Sequence, residues 1–415
     1  MSDIENAINE WIIDPFKPVS HFPNHSFIQN NKDYIKIELA KKSKYWANTL
    51  IPLINSNHLK SILKNEYRYP HRIGLFAGLN CMFYCGFCGR NKSASYDRNA
   101  LDYGMDLYKE LIRTSPKTEI DWQDRFRISG GQEPLTNPKI GELVTYANSF
   151  DYNIGMYTNG YMLTSKFIEK QPGLNNLKNL RISVYGHDDE SYFKVTKKLG
   201  AWTIVSENLK HLEMKNTQLG VNYIVLPGHS ADYLKLIHAL IKLQDQMKRP
   251  FNFITVREDF SQDLIYIDND ERKKLTQTIL DANYLAAKHL PDMKIDYGYA
   301  LDPLQYGKSI GPLRMAKYDQ LDGYGLPQAS VQVDILGNIY TYHETAFLDR
   351  PGSNKFIIGN VADGLNKVIQ KHLTGKSFNY IPSDTEMLDA YDHVVSLAVW
   401  SARQDQSSAV PSLFD

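Results

Sequence analysis

The chain has 415 residues, with 47 Lys+Arg balanced by 47 Asp+Glu and only 3 Cys. Zero net charge and the lack of a basic stripe exclude a nucleic-acid footprint. No apolar run approaches the roughly 18 residues that span a bilayer, and the acidic start MSDIENAINEWIIDPF lacks a signal-peptide core. A cytoplasmic protein with neither a membrane nor a nucleic-acid partner is expected.

In chain order, residues 1–70 read as an N-terminal helical extension, because DYIKIELAKKSKYWANTLIPLI mixes apolar and charged residues at helical spacing. From residue 72 onward, short apolar runs alternate with longer amphipathic ones. Strands are expected at 72–79, 125–129, 153–157, 179–184, 220–225, 252–256 and 294–299. Helices are expected between them, in ALDYGMDLYKELIRTS, NPKIGELVTYANSF, TIVSENLKHLEMKN and ADYLKLIHALIKLQDQ. Such alternation implies a parallel sheet with right-handed crossovers. Residues 71–300 are therefore expected to form an α/β core with its functional groups at the C-terminal strand ends. Residues 301–415 change character. SVQVDILGNIYTYHETAFLDRPGSNKFIIGNVADGLNKVIQKHL reads as a hairpin, a Gly-bearing loop, a further strand and a closing helix, an α+β extension.

All three cysteines, Cys81, Cys85 and Cys88, fall within GLNCMFYCGFCGR. Buried core cysteines rarely cluster so tightly. Structural zinc takes four protein ligands, yet the nearest histidine, His71, lies ten residues upstream and no later Cys or His pair has finger spacing. A disulfide framework fails on the odd count. Three thiolates can instead hold three irons of a [4Fe–4S] cube and leave the fourth without a protein ligand. Gly78, Gly86 and Gly89 offer backbone room for close approach, and Arg90 follows the loop.

The spacing Cys-x3-Cys-x2-Cys, with Phe87 just ahead of the third cysteine, resembles the signature of the radical S-adenosylmethionine (SAM) superfamily. That resemblance implies a partial (β/α)6 TIM-like barrel carrying one [4Fe–4S] cluster on Cys81, Cys85 and Cys88. It implies SAM on the open iron, cleaved reductively to a 5′-deoxyadenosyl radical that abstracts hydrogen from a small-molecule substrate, with an electron donor such as flavodoxin or ferredoxin. Phe87 would contact adenine. RISGGQEPLTNP resembles the family's GGEP motif, placing Gly130, Gly131, Gln132 and Glu133 near the SAM amino group. The inserted Gln132 leaves open which residue makes that contact. A Thr158–Asn159–Gly160 turn follows the third strand, and Ser183 and Asn222 would meet the SAM ribose or carboxylate.

Candidate substrate or catalytic residues follow the remaining strands: Tyr185 and His187, then Arg257, Glu258 and Asp259. Tyr297 and Tyr299 alternate about Gly298, so both should share a face. His343 and Glu344 lie in HETAFLDRPGS, within a segment that resembles SPASM and twitch extensions. With no cysteine left, an auxiliary cluster, methyl transfer through a thiol and a thiol hydrogen donor are all excluded, and no span remains for a cobalamin domain. Hydrogen abstraction followed by elimination, oxidation, decarboxylation or rearrangement survives. Single-cluster nucleotide-sugar deaminases and aminoglycoside dehydratases share this plan, so a sugar or nucleotide-sugar is the expected substrate. Radical modification of an amino acid or peptide, and a non-catalytic iron–sulfur regulator, stay open.

Overall fold

The computed structural model describes residues 2–13, 30–89, 95–118, 120–258, 269–299, 301–306, 315–323, 325–347, 350–375, 378–404, 410 and 413. The seven expected strands are β1 (Arg72–Phe76), β2 (Phe126–Ile128), β3 (Gly155–Thr158), β4 (Asn179–Val184), β5 (Gln218–Val225), β6 (Phe253–Glu258) and β7 (Lys294–Tyr297). They lie side by side in sequence order, every neighbour parallel. Parallel neighbours need a long return path, and at least one helix supplies it between each consecutive pair. Ala100–Thr114, which returns the chain from β1 to β2, buries Gly104, Met105, Tyr108, Leu111 and Ile112, an apolar stripe at helical spacing.

β1 stops three residues short of its expected end for a local reason. Leu79 and Asn80 donate their backbone N–H groups to Thr136 Oγ1 (2.9 and 3.2 Å), and Glu133 N–H donates to Asn80 O (2.8 Å). The chain thus leaves the ladder to bond the loop after β2.

The C-terminal segment adds β8 (Ser330–Asp334), β9 (Asn338–Tyr340) and β10 (Ile357–Asn360). β8 pairs parallel with β1, and β9 and β10 follow antiparallel, giving ten strands among the described residues in the order β10-β9-β8-β1-β2-β3-β4-β5-β6-β7. All eight parallel strands contribute residues to the wall of one cavity. The sheet is therefore curled into a partial α/β barrel, open between β7 and β8, which are not neighbours. The barrel runs past six parallel strands at both ends, because β7 extends one edge and the first strand of the extension continues the other.

The two ends of the chain close that opening. Lys44 reaches Asp296 and the carbonyl of Tyr297 at the end of β7, and Arg72 at the start of β1 donates to Asn48 O (3.1 Å). Behind this wall Ile4, Trp11, Leu39, Trp46 and Leu53 share a core with Val394, Val395 and Ala398 of the helix Ala390–Gln404. Trp46 Nε1 donates to Trp11 O at 3.0 Å within it. Each such side chain contributes roughly 1.5–3 kcal/mol by leaving water, which holds residues from the two ends of the chain against the barrel's open side. No helix among the described residues is long and apolar enough to cross a membrane.

Candidate active site

Where β1 ends, the chain turns into the cysteine loop. Cys85 is buried, Cys81 and Cys88 are half-buried, and all three line a cavity of about 830 Å³. The loop is shaped from within by Phe83 N–H donating to Cys81 Sγ (3.4 Å) and Cys88 N–H to Cys85 O (3.2 Å). It is held from without by Asn159, whose Nδ2 reaches Cys81 Sγ at 3.7 Å. An amide donor on a ligating sulfur is the kind of outer contact that orients and tunes a metal centre. Asn159 was legible only as part of a turn; its reach to a thiol depends on the stacking of β3 beside β2.

The loop after β2 lies against the cysteine loop with no room to spare. A Cβ on Gly78 would stand 2.6 Å from the backbone of Gln132 and Glu133, and one on Gly131, whose φ is +64°, would stand 2.8 Å from the Phe76 ring. Glu133 is buried with its carboxylate fully engaged: Oε1 accepts from Thr158 Oγ1 (2.5 Å) and Leu135 N–H (3.1 Å), Oε2 from Asn159 N–H (2.8 Å). Burial pushes its pKa up to about 7 despite these donors. Glu133 thus ties the ends of β2 and β3 together, and it still lines the cavity beside Gly130, Gly131 and Gln132.

Ser183 and Asn222 face each other in register across β4 and β5, and both line the cavity. Asn222 Oδ1 is buried without a hydrogen-bond partner, as befits an acceptor reserved for a ligand. Phe87 and Tyr185 pack with ring centroids 5.8 Å apart. Burial, then Cys85 and Cys81, raises the Tyr185 hydroxyl well above its ordinary range, so Tyr185 stays neutral.

The expected substrate residues separate into two groups. Arg257, Glu258, His343 and Glu344 line the same cavity. His343 Nδ1 stands 3.1 Å from Asp392 Oδ1 and 3.5 Å from Asp389 Oδ1. Burial works against its charge, but the two aspartates outweigh burial and lift its pKa to about 9. Glu344 Oε2 pairs with Arg350 Nη1 at 3.1 Å, and that guanidinium abuts Gly89 of the cysteine loop.

Two expectations need correction. His187 does not line the cavity; it stands at a helix start, its N–H donating to Ser191 Oγ (2.9 Å) and its Nε2 3.4 Å from Asp188. Tyr297 and Tyr299 both line the cavity, but their hydroxyls do not point the same way. The Tyr297 hydroxyl donates to Asn283 Oδ1 (2.7 Å) and meets Tyr233, both on crossover helices. The Tyr299 hydroxyl meets Thr49 Oγ1 (2.6 Å), with its ring on Tyr45. β7 ends at Tyr297, so strand alternation does not carry to Tyr299. Arg90 and Asp259 lie outside the described residues.

Sequence reasoning also passed over Arg72, Arg127 and Arg181, which line the cavity from β1, β2 and β4. The signal was present: a parallel strand covered on both faces reads as continuous apolar sequence, and FRI and NLRISV each carry an arginine in the middle.

A curled parallel sheet whose first strand ends in a three-thiol loop facing a polar cavity defines an α/β-barrel enzyme built around an iron–sulfur centre. Residues 77–241 match the model of the radical SAM superfamily. Over 380 residues the chain is 33% identical to dTDP-4-amino-4,6-dideoxy-D-glucose ammonia-lyase of Streptomyces venezuelae, covering 89% of this chain and 78% of that protein. Among solved structures, Streptococcus suis SuiB bound to S-adenosylmethionine is 14% identical with TM-score 0.48, over 76% of this chain and 67% of that one. Native anSMEcpe with bound AdoMet is 15% identical with TM-score 0.47, over 72% and 80%. The chain belongs to the radical SAM superfamily, enzymes that use a [4Fe–4S] cluster and SAM.

Proposed function

We propose that this enzyme eliminates ammonia from a nucleotide-linked amino sugar. One observation carries the reading: the three thiols, the residues expected around SAM and a polar inner wall share a single cavity of about 830 Å³. The relative that is 33% identical, an ammonia-lyase of a dTDP-linked amino sugar, supports the substrate class and the choice of elimination over oxidation. Cys81, Cys85 and Cys88 would hold the cluster, and Phe87, Gly130, Gly131, Gln132, Glu133, Ser183 and Asn222 would seat SAM. The close fit at Gly78 and the unpartnered Oδ1 of Asn222 suit that assignment. When bound, cluster and SAM supply a carbon radical that takes a hydrogen atom from the substrate.

The protein's own residues position the substrate and keep water away. Phe83, Phe87, Tyr185 and Phe347 line the cavity and shield the space beside the thiols. Glu258, buried on the inner wall, is the carboxylate we assign to the amino group, and His343, held protonated by Asp389 and Asp392, lines the same cavity. The substrate's C–OH and neighbouring C–NH2 carbons become a carbonyl and a CH2 as ammonia leaves, so its oxidation level is unchanged. A flavodoxin or ferredoxin supplies the electrons, and the cytoplasm suits the free thiols.

The test is anaerobic reconstitution with dithionite, SAM and a dTDP-linked 4-amino sugar. Ammonia should appear together with 5′-deoxyadenosine, both depending on the sugar. 5′-Deoxyadenosine with an oxidised, still aminated sugar would make the enzyme a dehydrogenase. Sugar-independent behaviour, with turnover on a peptide instead, would overturn the reading altogether.

A further inference from the structure

Among the described residues, four arginines enter the barrel cavity from β1, β2, β4 and β6: Arg72, Arg127, Arg181 and Arg257. Arg127, Arg181 and Arg257 act on Tyr157 of β3, whose hydroxyl accepts from Arg181 Nη1 at 2.5 Å, and Arg72 faces Arg127. Arg72 donates only to a backbone carbonyl, Asn48 O, and lies over the Tyr391 ring at 4.9 Å. Arg181 lies over the Tyr157 and Phe253 rings at 5.0 and 5.1 Å, and its Nε is buried without a partner. Arg127 and Arg257 are exposed, and what they are exposed to is the cavity.

The carboxylates of the same wall are largely committed elsewhere. Asp296 is paired with Lys44, Glu344 with Arg350, Asp389 with His343, and Glu133 with the N–H groups of the rim. Glu258 and Asp389 are the acids that Arg257 feels. Asp389 is shared with His343, so the four guanidinium groups face few uncommitted carboxylates, and an excess of positive charge inside a cavity is costly until an anion enters.

The titration behaviour of the group agrees with that surplus. Arg72, and after it burial, pushes the Arg127 pKa down to about 10, the mark of like charges facing each other. Burial would raise the Tyr157 hydroxyl, yet Arg257, Arg181 and Arg127 together hold it below its ordinary range.

We propose that Arg72, Arg127, Arg181 and Arg257, which line one cavity, form a subsite for the diphosphate of the nucleotide-linked substrate. This deepens the nucleotide-sugar reading and rests on it. A diphosphate diester carries two negative charges and several acceptor oxygens, so it can engage more than one of these guanidinium groups at once, as a single carboxylate cannot. Guanidinium groups suit phosphate oxygens because they donate in pairs from a fixed plane.

Register explains why the subsite is useful there. Arg181 precedes Ser183 by two residues on β4, and Arg127 precedes Ser129 by two across the end of β2. The arginines of these two strands therefore sit one same-face step, about 7 Å, below the rim that carries the SAM residues. That step is comparable to one pyranose ring, and the sugar is bonded directly to the diphosphate. Anchoring the diphosphate below would hold the ring at the rim.

The test uses the full-length, anaerobically reconstituted protein with saturating SAM, so that SAM occupies its own site. Binding of thymidine diphosphate, thymidine and inorganic pyrophosphate is measured by calorimetry. On the unaltered protein, thymidine diphosphate should bind at least 100-fold more tightly than thymidine, and pyrophosphate should displace it. Arg127→Gln and Arg257→Gln should each weaken thymidine diphosphate binding roughly 10- to 100-fold, and Arg127→Lys should recover part of the loss. The cluster absorbance of each variant reports that the barrel and its loop have formed. Equal binding of thymidine and thymidine diphosphate, or arginine variants that form the cluster and bind as the parent does, would overturn the subsite. Arginine-dependent binding without sugar-dependent 5′-deoxyadenosine would instead sink the ammonia-lyase reading and leave the subsite standing.

Discussion

Asn159 touches three parts of the rim at once through its relation to Cys81. Its Nδ2 stands 3.7 Å from Cys81 Sγ and 3.1 Å from Met82 Sδ, while its backbone N–H donates to Glu133 Oε2 at 2.8 Å. The cysteine loop, the loop after β2 and the end of β3 are thereby coupled through one residue. A hydrogen bond to a ligating sulfur stabilises the more negative, reduced cluster. Asn159→Ala should therefore lower the cluster's reduction potential, by roughly 60 mV for a hydrogen bond contributing about 1.4 kcal/mol. A redox titration followed by electron paramagnetic resonance reads this directly, and an unchanged or raised potential would refute it.

Glu133 should leave a pH signature on stability. Its folded pKa is pushed up to about 7 from an ordinary value of 4.5, so between those values the folded protein holds a proton that the unfolded chain has released. Stability from this group is complete below pH 4.5 and is lost as pH rises to about 7, a change of about 3 kcal/mol. Glu133→Gln does not titrate, so the stability difference between it and the parent should shift in that window and level off above it. Urea unfolding at several pH values checks this; parallel curves would contradict it.

His343 predicts a second and separate window. Its folded pKa of about 9 exceeds the ordinary 6.5, so its contribution is fully present below pH 6.5 and disappears as pH rises through 9. Asp392→Asn removes the nearer carboxylate, and the His343 pKa measured by NMR should fall toward 6.5. Because a protonated imidazole then loses a buried partner, stability at pH 6 should drop by about 3 kcal/mol. A His343 pKa that stays near 9 would show that Asp389 alone suffices.

Two glycines of the same loop should respond differently to a methyl group. A Cβ on Gly78 meets backbone atoms at 2.6 Å, whereas a Cβ on Gly86 meets nothing within 4 Å. Gly78→Ala should therefore force the loops after β1 and β2 apart, costing about 1–3 kcal/mol and weakening SAM binding. Gly86→Ala should leave the melting temperature in place. Equal melting temperatures for the two variants would mean that the rim is not tightly packed at Gly78.

Much of this was legible in the sequence because it is local. The thiol spacing of Cys81, Cys85 and Cys88 and the alternation of strands with amphipathic helices are patterns within short windows. They report what a segment is and which of its faces is apolar. The expected strand at 179–184 matches β4 residue for residue, and the parallel order of β1 to β7 follows from the helices between them. The GGQEP and TNG turns could likewise be placed at strand ends.

The tertiary structure decided which faces meet. Sequence periodicity places Arg127 and Arg181 on one face of their strands, but only the curl of the sheet turns those faces toward each other and around Tyr157. It decided that β8 extends the sheet beside β1 and that Trp11 and Val394 share one core. It also sent the Tyr297 and Tyr299 hydroxyls to different neighbours. These outcomes join residues tens to hundreds of positions apart. The energy that selects them comes from packing, pairing and charge between segments, and no single segment carries it.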